Sequence, residues 1–170
     1  MVPKAYIQYL VHFHGDRDYF ECHEILEEYW KELNEGKQSV WIGFILLAVS
    51  NYHFRRGNQD GAGRTLKKAI TIFEDHLHNQ SFGMDMNSLC SQLEIRLIGI
   101  QQGEAYSSFN LPLTDSNILE ECKRVCHTKG FQWGQNSNLE DVNLIHRHSK
   151  RDRSDIVRQR QIALSQRHAK

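Results

Sequence analysis

The chain has 170 residues, 21 basic and 21 acidic side chains and only two prolines, which suits one compact helical domain and excludes a multidomain enzyme. A net charge of zero removes the simplest argument for a polyanion-binding protein. The longest apolar run, residues 40–49, is ten residues, well short of the roughly 20 needed to cross a bilayer, so no membrane span is expected.

The opening MVPKAYIQYLVHFHG mixes Gln, His and Tyr into its apolar residues and offers no small-residue cleavage site. Cys22, Cys90, Cys122 and Cys126 sit in a chain long enough to build a core without staples, so no secreted disulfide framework is expected. The expected location is the cytoplasm.

Over residues 1–110 the apolar pattern repeats with period 3.6 and never with period two for a useful length, which predicts five helices and no sheet. The first covers residues 3–14, with Pro3 in the first turn and Gly15 as its stop. The second starts after Asp16 or Asp18 as N-cap and ends near Leu33, with an apolar column of Tyr19, Cys22, Leu26, Tyr29 and Leu33. The third, residues 39–56, is apolar on most of its circumference and is expected at the centre. Asn58 or Asp60 can cap the fourth, which runs to about residue 78 with Leu66, Ala69, Ile70 and Phe73 inward. The fifth spans residues 87–103. Short connections make neighbours antiparallel, so the fold class is all-α, a compact up-and-down bundle.

Residues 1–110 carry a net charge of −4 and residues 111–170 a net charge of +4. With the turn-rich stretch 103–115, this places a seam near residue 110 between a bundle domain (1–110) and a basic C-terminal extension (111–170). The extension is expected to be partly helical, over 116–129 and 139–166, and packed loosely or not at all, because its last helix has few apolar residues.

The densest chemistry lies in the second helix. Phe20, His23, Glu27 and Trp30 share a column beside the apolar one, while Glu21, Glu24 and Glu28 fall on the solvent side. His23 and Glu27, four apart, project together with Phe20 and Trp30 above and below. That pair supplies half a site for zinc, manganese or iron, all of which accept mixed imidazole and carboxylate ligands. His53, which extends the Ile42, Leu46 and Val49 column of the central helix, is the candidate to complete it, with Tyr52 helping to exclude water. Singly, plainer readings win: His53 as a core histidine bonded to a backbone carbonyl or a carboxylate, and His23–Glu27 as a helix-stabilising pair with Lys31 also in reach of Glu27.

The segment YFECHEILEEYW, the following WIGFILLAVSNYHFRRGN and the helix start DGAGRTLKKAI resemble domain-of-unknown-function family 309, small helical bacterial and archaeal proteins, over about residues 9–80. The family pattern His-x-x-x-Glu-x-x-Trp/Tyr is matched by His23, Glu27 and Trp30, and the opening is similar to the longer members of Bacillus-type bacteria. The resemblance implies a helical fold and a metal-binding role for that pattern, and no established activity. Many members carry Gln at central-helix positions where this chain has Ile42 and Leu46, which implies a drier site here.

Other signals are weaker. His23-Glu24-x-x-Glu27 lacks the second histidine of a zinc-protease helix, and Cys122, Cys126 and His127 have no partner pair at finger spacing. No second copy of a helical repeat follows residues 46–74. Arg55, Arg56 and Arg64 lie near a helix N-terminus and could hold an anion, though a solvated basic rim is the plainer reading. Residues 147–170 hold eight basic and two acidic side chains, a run able to follow phosphates but without interleaved aromatics. The leading expectation is a metal or small-ligand site on His23, Glu27 and His53, lined by Phe20, Trp30 and Tyr52. The alternative is a non-enzymatic interaction module whose basic tail meets a protein or nucleic-acid partner. The apolar first helix and the Tyr and Trp residues also suit a two-fold homo-oligomer interface. No reaction follows from these residues alone.

Overall fold

A computed structural model describes residues 1–150 and 154–168. Arg151, Asp152, Arg153, Ala169 and Lys170 of the basic run lie outside the described residues. Helices α1 (Lys4–His14), α2 (Tyr19–Leu33), α3 (Val40–Arg55), α4 (Gln59–Glu74), α5 (Met86–Gln101) and α6 (Ser116–Lys129) are followed by the short α7 (Val142–Ile145) and α8 (Arg147–Lys150), then α9 (Ser154–His168). Among the described residues there is no strand, only an isolated bridge between Met84 and Leu113. The molecule is an all-α bundle.

Local chemistry sets the helix ends where the sequence suggests. Asp18, Ser39, Asn58, Asp85 and Asp115 each accept a backbone N–H in the first turn of the helix that follows. α3 is central: twelve of its sixteen residues are buried, and it packs against α2 and α4. Gly43 makes the α4 contact close, since a Cβ there would lie 2.8 Å from the buried Phe73 ring. α1 buries Tyr6, Tyr9, Leu10 and Phe13. The phenols of Tyr6 and Tyr9 donate to the carbonyls of Phe82 and Phe44 at 2.9 and 2.8 Å, which satisfies their polar ends inside an aromatic core.

The C-terminal half departs from expectation. Leu111, Ile118, Cys122 and Cys126 belong to the same buried core as the first five helices, Ile145 is also buried, and α6 packs on α1. Residue 110 is therefore not a boundary of the packed core, and residues 111–148 are not a loose extension. The single helix expected over 139–166 is interrupted at His146, because Asp141 caps a four-residue helix that ends at Ile145.

Arginines do the fastening. Arg17, 1% exposed and in the left-handed backbone region (φ 58°), donates to the carbonyls of Phe109 and Gln135 and to Asn110 Oδ1 at 2.6–2.8 Å. Arg55 donates to the Arg17 carbonyl at 2.6 Å and to Ser137 Oγ at 2.9 Å, with its guanidinium 4.6 Å from the centre of the Tyr19 ring. His14 is fully buried. Its Nδ1 meets the Leu10 carbonyl and so carries the proton, while Nε2 accepts the Leu111 N–H. Trp133 stacks on the imidazole at 4.2 Å.

Two outcomes follow from this packing. Gly43→Ala gains about 1 kcal/mol of helix propensity but drives a methyl into Phe73, and overpacking costs about 1–3 kcal/mol, so urea denaturation should show a net loss. Burial pushes the His14 pKa down from its ordinary 6.5 to about 3. The unfolded chain therefore takes up a proton that the folded chain refuses. His14's contribution is fully present above about pH 6.5 and declines as pH falls toward 3, by up to about 1.4 kcal/mol per pH unit. Stability measured between pH 6.5 and 4.5 should fall less steeply in His14→Gln than in the wild type.

Candidate functional site

α2 has two working faces. Tyr19, Cys22 and Leu26 are buried against the core, which fixes the helix, and one column over lie Phe20, His23, Glu27 and Trp30, all partly exposed. His23 Nε2 lies 3.0 Å from Glu27 Oε2, and His23 Nδ1 lies 3.5 Å from Glu24 Oε1. Ligand atoms of His23, Glu24 and Glu27 all fall within 4.8 Å of one another. Glu27 Oε1 is met by Lys31 Nζ at 3.0 Å, the pairing that i, i+4 spacing offers.

Glu24 is the group that spacing alone misplaced. An i, i+1 neighbour of a histidine lies about 100° around the helix, yet a glutamate is long enough to swing its carboxylate back to the imidazole. The pair is also less buried than the expectation required, with side-chain exposures of 28% for His23 and 34% for Glu27. Both groups stay partly hydrated, so these contacts contribute only a few tenths of a kcal/mol each.

His53 does not join the cluster. The column Ile42, Leu46, Val49 and His53 comprises the four residues of α3 that are not buried, so it forms the outer stripe of the central helix rather than an inner one. At the α3–α4 turn, His53 Nδ1 accepts from Asn58 Nδ2 at 3.2 Å. Partial burial, with the cations of Arg56 and Arg64 nearby, lowers its pKa. Its neighbours select neutral imidazole there.

The expected lining is divided as well. Phe20 stands between His23 (ring centres 6.1 Å apart) and Tyr52 (6.2 Å). Trp30 Nε1 donates to the Gly36 carbonyl at 3.3 Å, tying down the α2–α3 loop. The Tyr52 hydroxyl is bonded to His148, through both Nδ1 and the backbone N–H. Arg56 lies 5.3 Å from the centre of the Tyr52 ring, and it reaches His148 Nε2 at 3.2 Å and His146 Nδ1 at 3.3 Å. A guanidinium only donates, so His148 Nε2 is an acceptor and Nδ1 carries the proton.

Between those two histidines Arg147 turns the other way, to the buried carboxylate of Asp18, with Glu21 at 3.8 Å. Burial raises the Asp18 pKa, against the opposing pull of the Glu21 N–H and Arg147. His146, Arg147 and His148 thus grip α2 and α3 together, close to the Phe20 end of the site. The basic rim expected from Arg55, Arg56 and Arg64 is not formed as a set. Arg55 is turned into the core and spent on the Arg17 carbonyl and Ser137, because only there does its guanidinium find acceptors out of water.

No solved structure matches the chain. Residues 6–65, which include α2, α3 and the His23 cluster, match the domain of unknown function DUF309. The chain is 44% identical over 169 residues, covering 98% of its own length and 97% of the relative's, to the uncharacterized protein YpuF of Bacillus subtilis (strain 168). The all-α bundle with its His-x-x-x-Glu-x-x-Trp helix therefore belongs to the DUF309 family.

Proposed function

We propose that this bundle binds a divalent metal ion on the outer face of α2, with His23, Glu24 and Glu27 as protein ligands. The observation that carries the reading is the convergence of one imidazole and two carboxylates within 4.8 Å on a helix whose other face is locked into the core. The donor set fits zinc, manganese or iron, which accept nitrogen and carboxylate oxygen together. Three protein donors leave at least one coordination position open, where a bound ion would polarise a water molecule or a small anionic ligand.

The residues themselves do the remaining work. Lys31 holds Glu27 Oε1 and must yield it or share it on binding. Phe20 screens one side of the imidazole. Without an ion, the same three side chains form a surface cluster of close polar contacts of small energetic weight. His53, Trp30 and Tyr52 have structural duties of their own and are not ligands in this reading. No reaction is assigned.

Elemental analysis and zinc, manganese and iron titrations of the full chain test the proposal. Wild type should take up about one equivalent, and His23→Ala and Glu27→Gln should each weaken binding by about tenfold or more. His53→Ala should leave affinity unchanged, which separates this ligand set from one centred on α3. Because the pairs are half-exposed, the α2 variants should unfold within about 0.5 kcal/mol of wild type. Wild-type protein that takes up none of the three ions would overturn the proposal.

A second reading rests on α9. Arg158, Arg160 and Arg167 are exposed there, and Ile162 and Leu164 are each 52% exposed, which suits an element that meets a partner. Since residues 131–148 are fastened to the core, the informative truncation removes residues 151–170 only. Retention on heparin should then weaken while the urea midpoint stays the same, and the wild-type interaction should decline with salt, as phosphate or sulfate contacts do. Equal retention of both chains at low salt would dismiss the tail as the binding element.

A further inference from the structure

Arg17, Arg55 and Arg96 all place their guanidinium groups inside the protein or at its edge, and none forms an ion pair among the described residues. Arg17 spends its donors on two carbonyls and an amide, and Arg55 is boxed in by Tyr19, Ser137 and two main-chain carbonyls. Arg96 on α5 differs. Its Nη2 is fixed by Asn51 Oδ1 at 2.7 Å and the Ser107 carbonyl at 2.8 Å. The group is caged by Phe109, Phe54 and Tyr106, whose ring centres lie 4.5, 5.0 and 5.5 Å away. Among the described residues Nε and Nη1 have no hydrogen-bond partner, and they are not among the buried unsatisfied atoms, so water reaches them.

Arg96 is one of the residues lining a cleft of about 320 Å³, with Phe54, Phe109, Ile95 and Glu104. The size is at the lower end for a small-molecule site. Ile95 is 71% exposed, an apolar side chain left at the edge of the cleft. Glu104, the one acid in the lining, is held elsewhere. Its backbone N–H donates to the Gly99 carbonyl at 2.9 Å, and its carboxylate lies so close over Gly99 that a Cβ there would come within 2.4 Å of it. That carboxylate, resting over Gly99, forms no ion pair with Arg96 among the described residues.

We infer that this cleft is a binding site for a small carboxylic acid with a planar or apolar body, its carboxylate received by Arg96 and its body by Phe54, Phe109 and Ile95. With both Nη2 hydrogens committed to Asn51 and Ser107, a carboxylate oxygen would take one charge-assisted hydrogen bond, from Nε or from Nη1. Asn51 and Ser107 hold it in one orientation, so little side-chain freedom is lost on binding. The aromatic walls lower the local dielectric, which strengthens the pairing and leaves an unanswered charge when the cleft holds only water. Nothing in the inference depends on the α2 site.

Benzoate and benzamide, which share a shape and differ in charge, serve as probes in NMR titrations of the full chain. Benzoate should shift the Arg96 Nε–Hε signal and the Ile95 methyls saturably, with a Kd of about 1 mM or tighter, and benzamide should not. Arg96→Gln should weaken binding by about tenfold or more. Because that residue also supports Asn51 and Ser107, two surface variants keep the test sound. Glu104→Gln removes a nearby negative charge and should tighten benzoate about threefold, and Ile95→Ala should loosen it about threefold, both without loss of fold. Absence of a saturable shift up to about 20 mM benzoate, equal shifts with benzamide, or indifference to both surface variants would mark Arg96 as a packing residue only.

Discussion

Burying a guanidinium without an anion costs several kcal/mol unless its donors find acceptors. Arg17 meets that condition with two main-chain carbonyls and Asn110, and Arg55 meets it through its Nη groups, while its buried Nε has no partner among the described residues. The main-chain carbonyls come from the turn before α2, the irregular stretches around 109 and 135, and the short α7. Irregular backbone normally lies on the surface because its polar groups need water. Here arginines take the place of that water, and this lets a polar C-terminal half pack over a helical one. His14 repeats the device with an imidazole, giving the Leu111 N–H an acceptor inside the core. The Arg17 backbone accepts an uncommon left-handed conformation as part of the same arrangement.

The α2 face draws its rigidity from this clamp. Tyr19 lies beneath Arg55 and bonds Tyr106 through its hydroxyl, Cys22 meets the Tyr9 carbonyl, and Asp18 holds both the first turn of α2 and Arg147. A helix fixed on three sides presents its fourth at a defined angle. Ligand clusters are more sharply positioned on such an element than on a loop. Exposure is the counterpart: the groups that converge at His23 remain in contact with water, where their mutual attraction is weak and a stronger cation is free to compete.

Helices α1 to α6 were legible from their 3.6-residue apolar period, with capping side chains ahead of α2 to α6 and Pro3 ahead of α1, and α3 was recognisable as central because it has almost no polar side. The His23–Glu27 pair was legible from i, i+4 spacing. What misled was the column Ile42, Leu46, Val49, His53, since an apolar stripe on a helix that is apolar nearly all round does not say which stripe faces out. Glu24 was missed because column arithmetic tracks Cβ positions, not the reach of a long side chain. The docking of residues 106–148 left no periodic trace. Its ties run from side chains to carbonyls over separations of 92 to 118 residues, and every residue type supplies a carbonyl. Phe131 and Trp133, two aromatics in a polar stretch, were the available hint.

The positions of Arg17 and His14 near one end of the chain also have a temporal meaning. During synthesis both leave the ribosome early, while their hydrogen-bond partners at 109–111 and 135 follow more than 90 residues later. At roughly 5–20 residues per second that interval is several seconds. Over it the α1–α2 turn holds an unanswered cation and an imidazole open to water, so the first helices exist as a hydrated assembly and close into the native core only when the late segment arrives. Loop closure over such distances makes this a slow step for so helical a protein, and a chain ending short of residue 135 never reaches it.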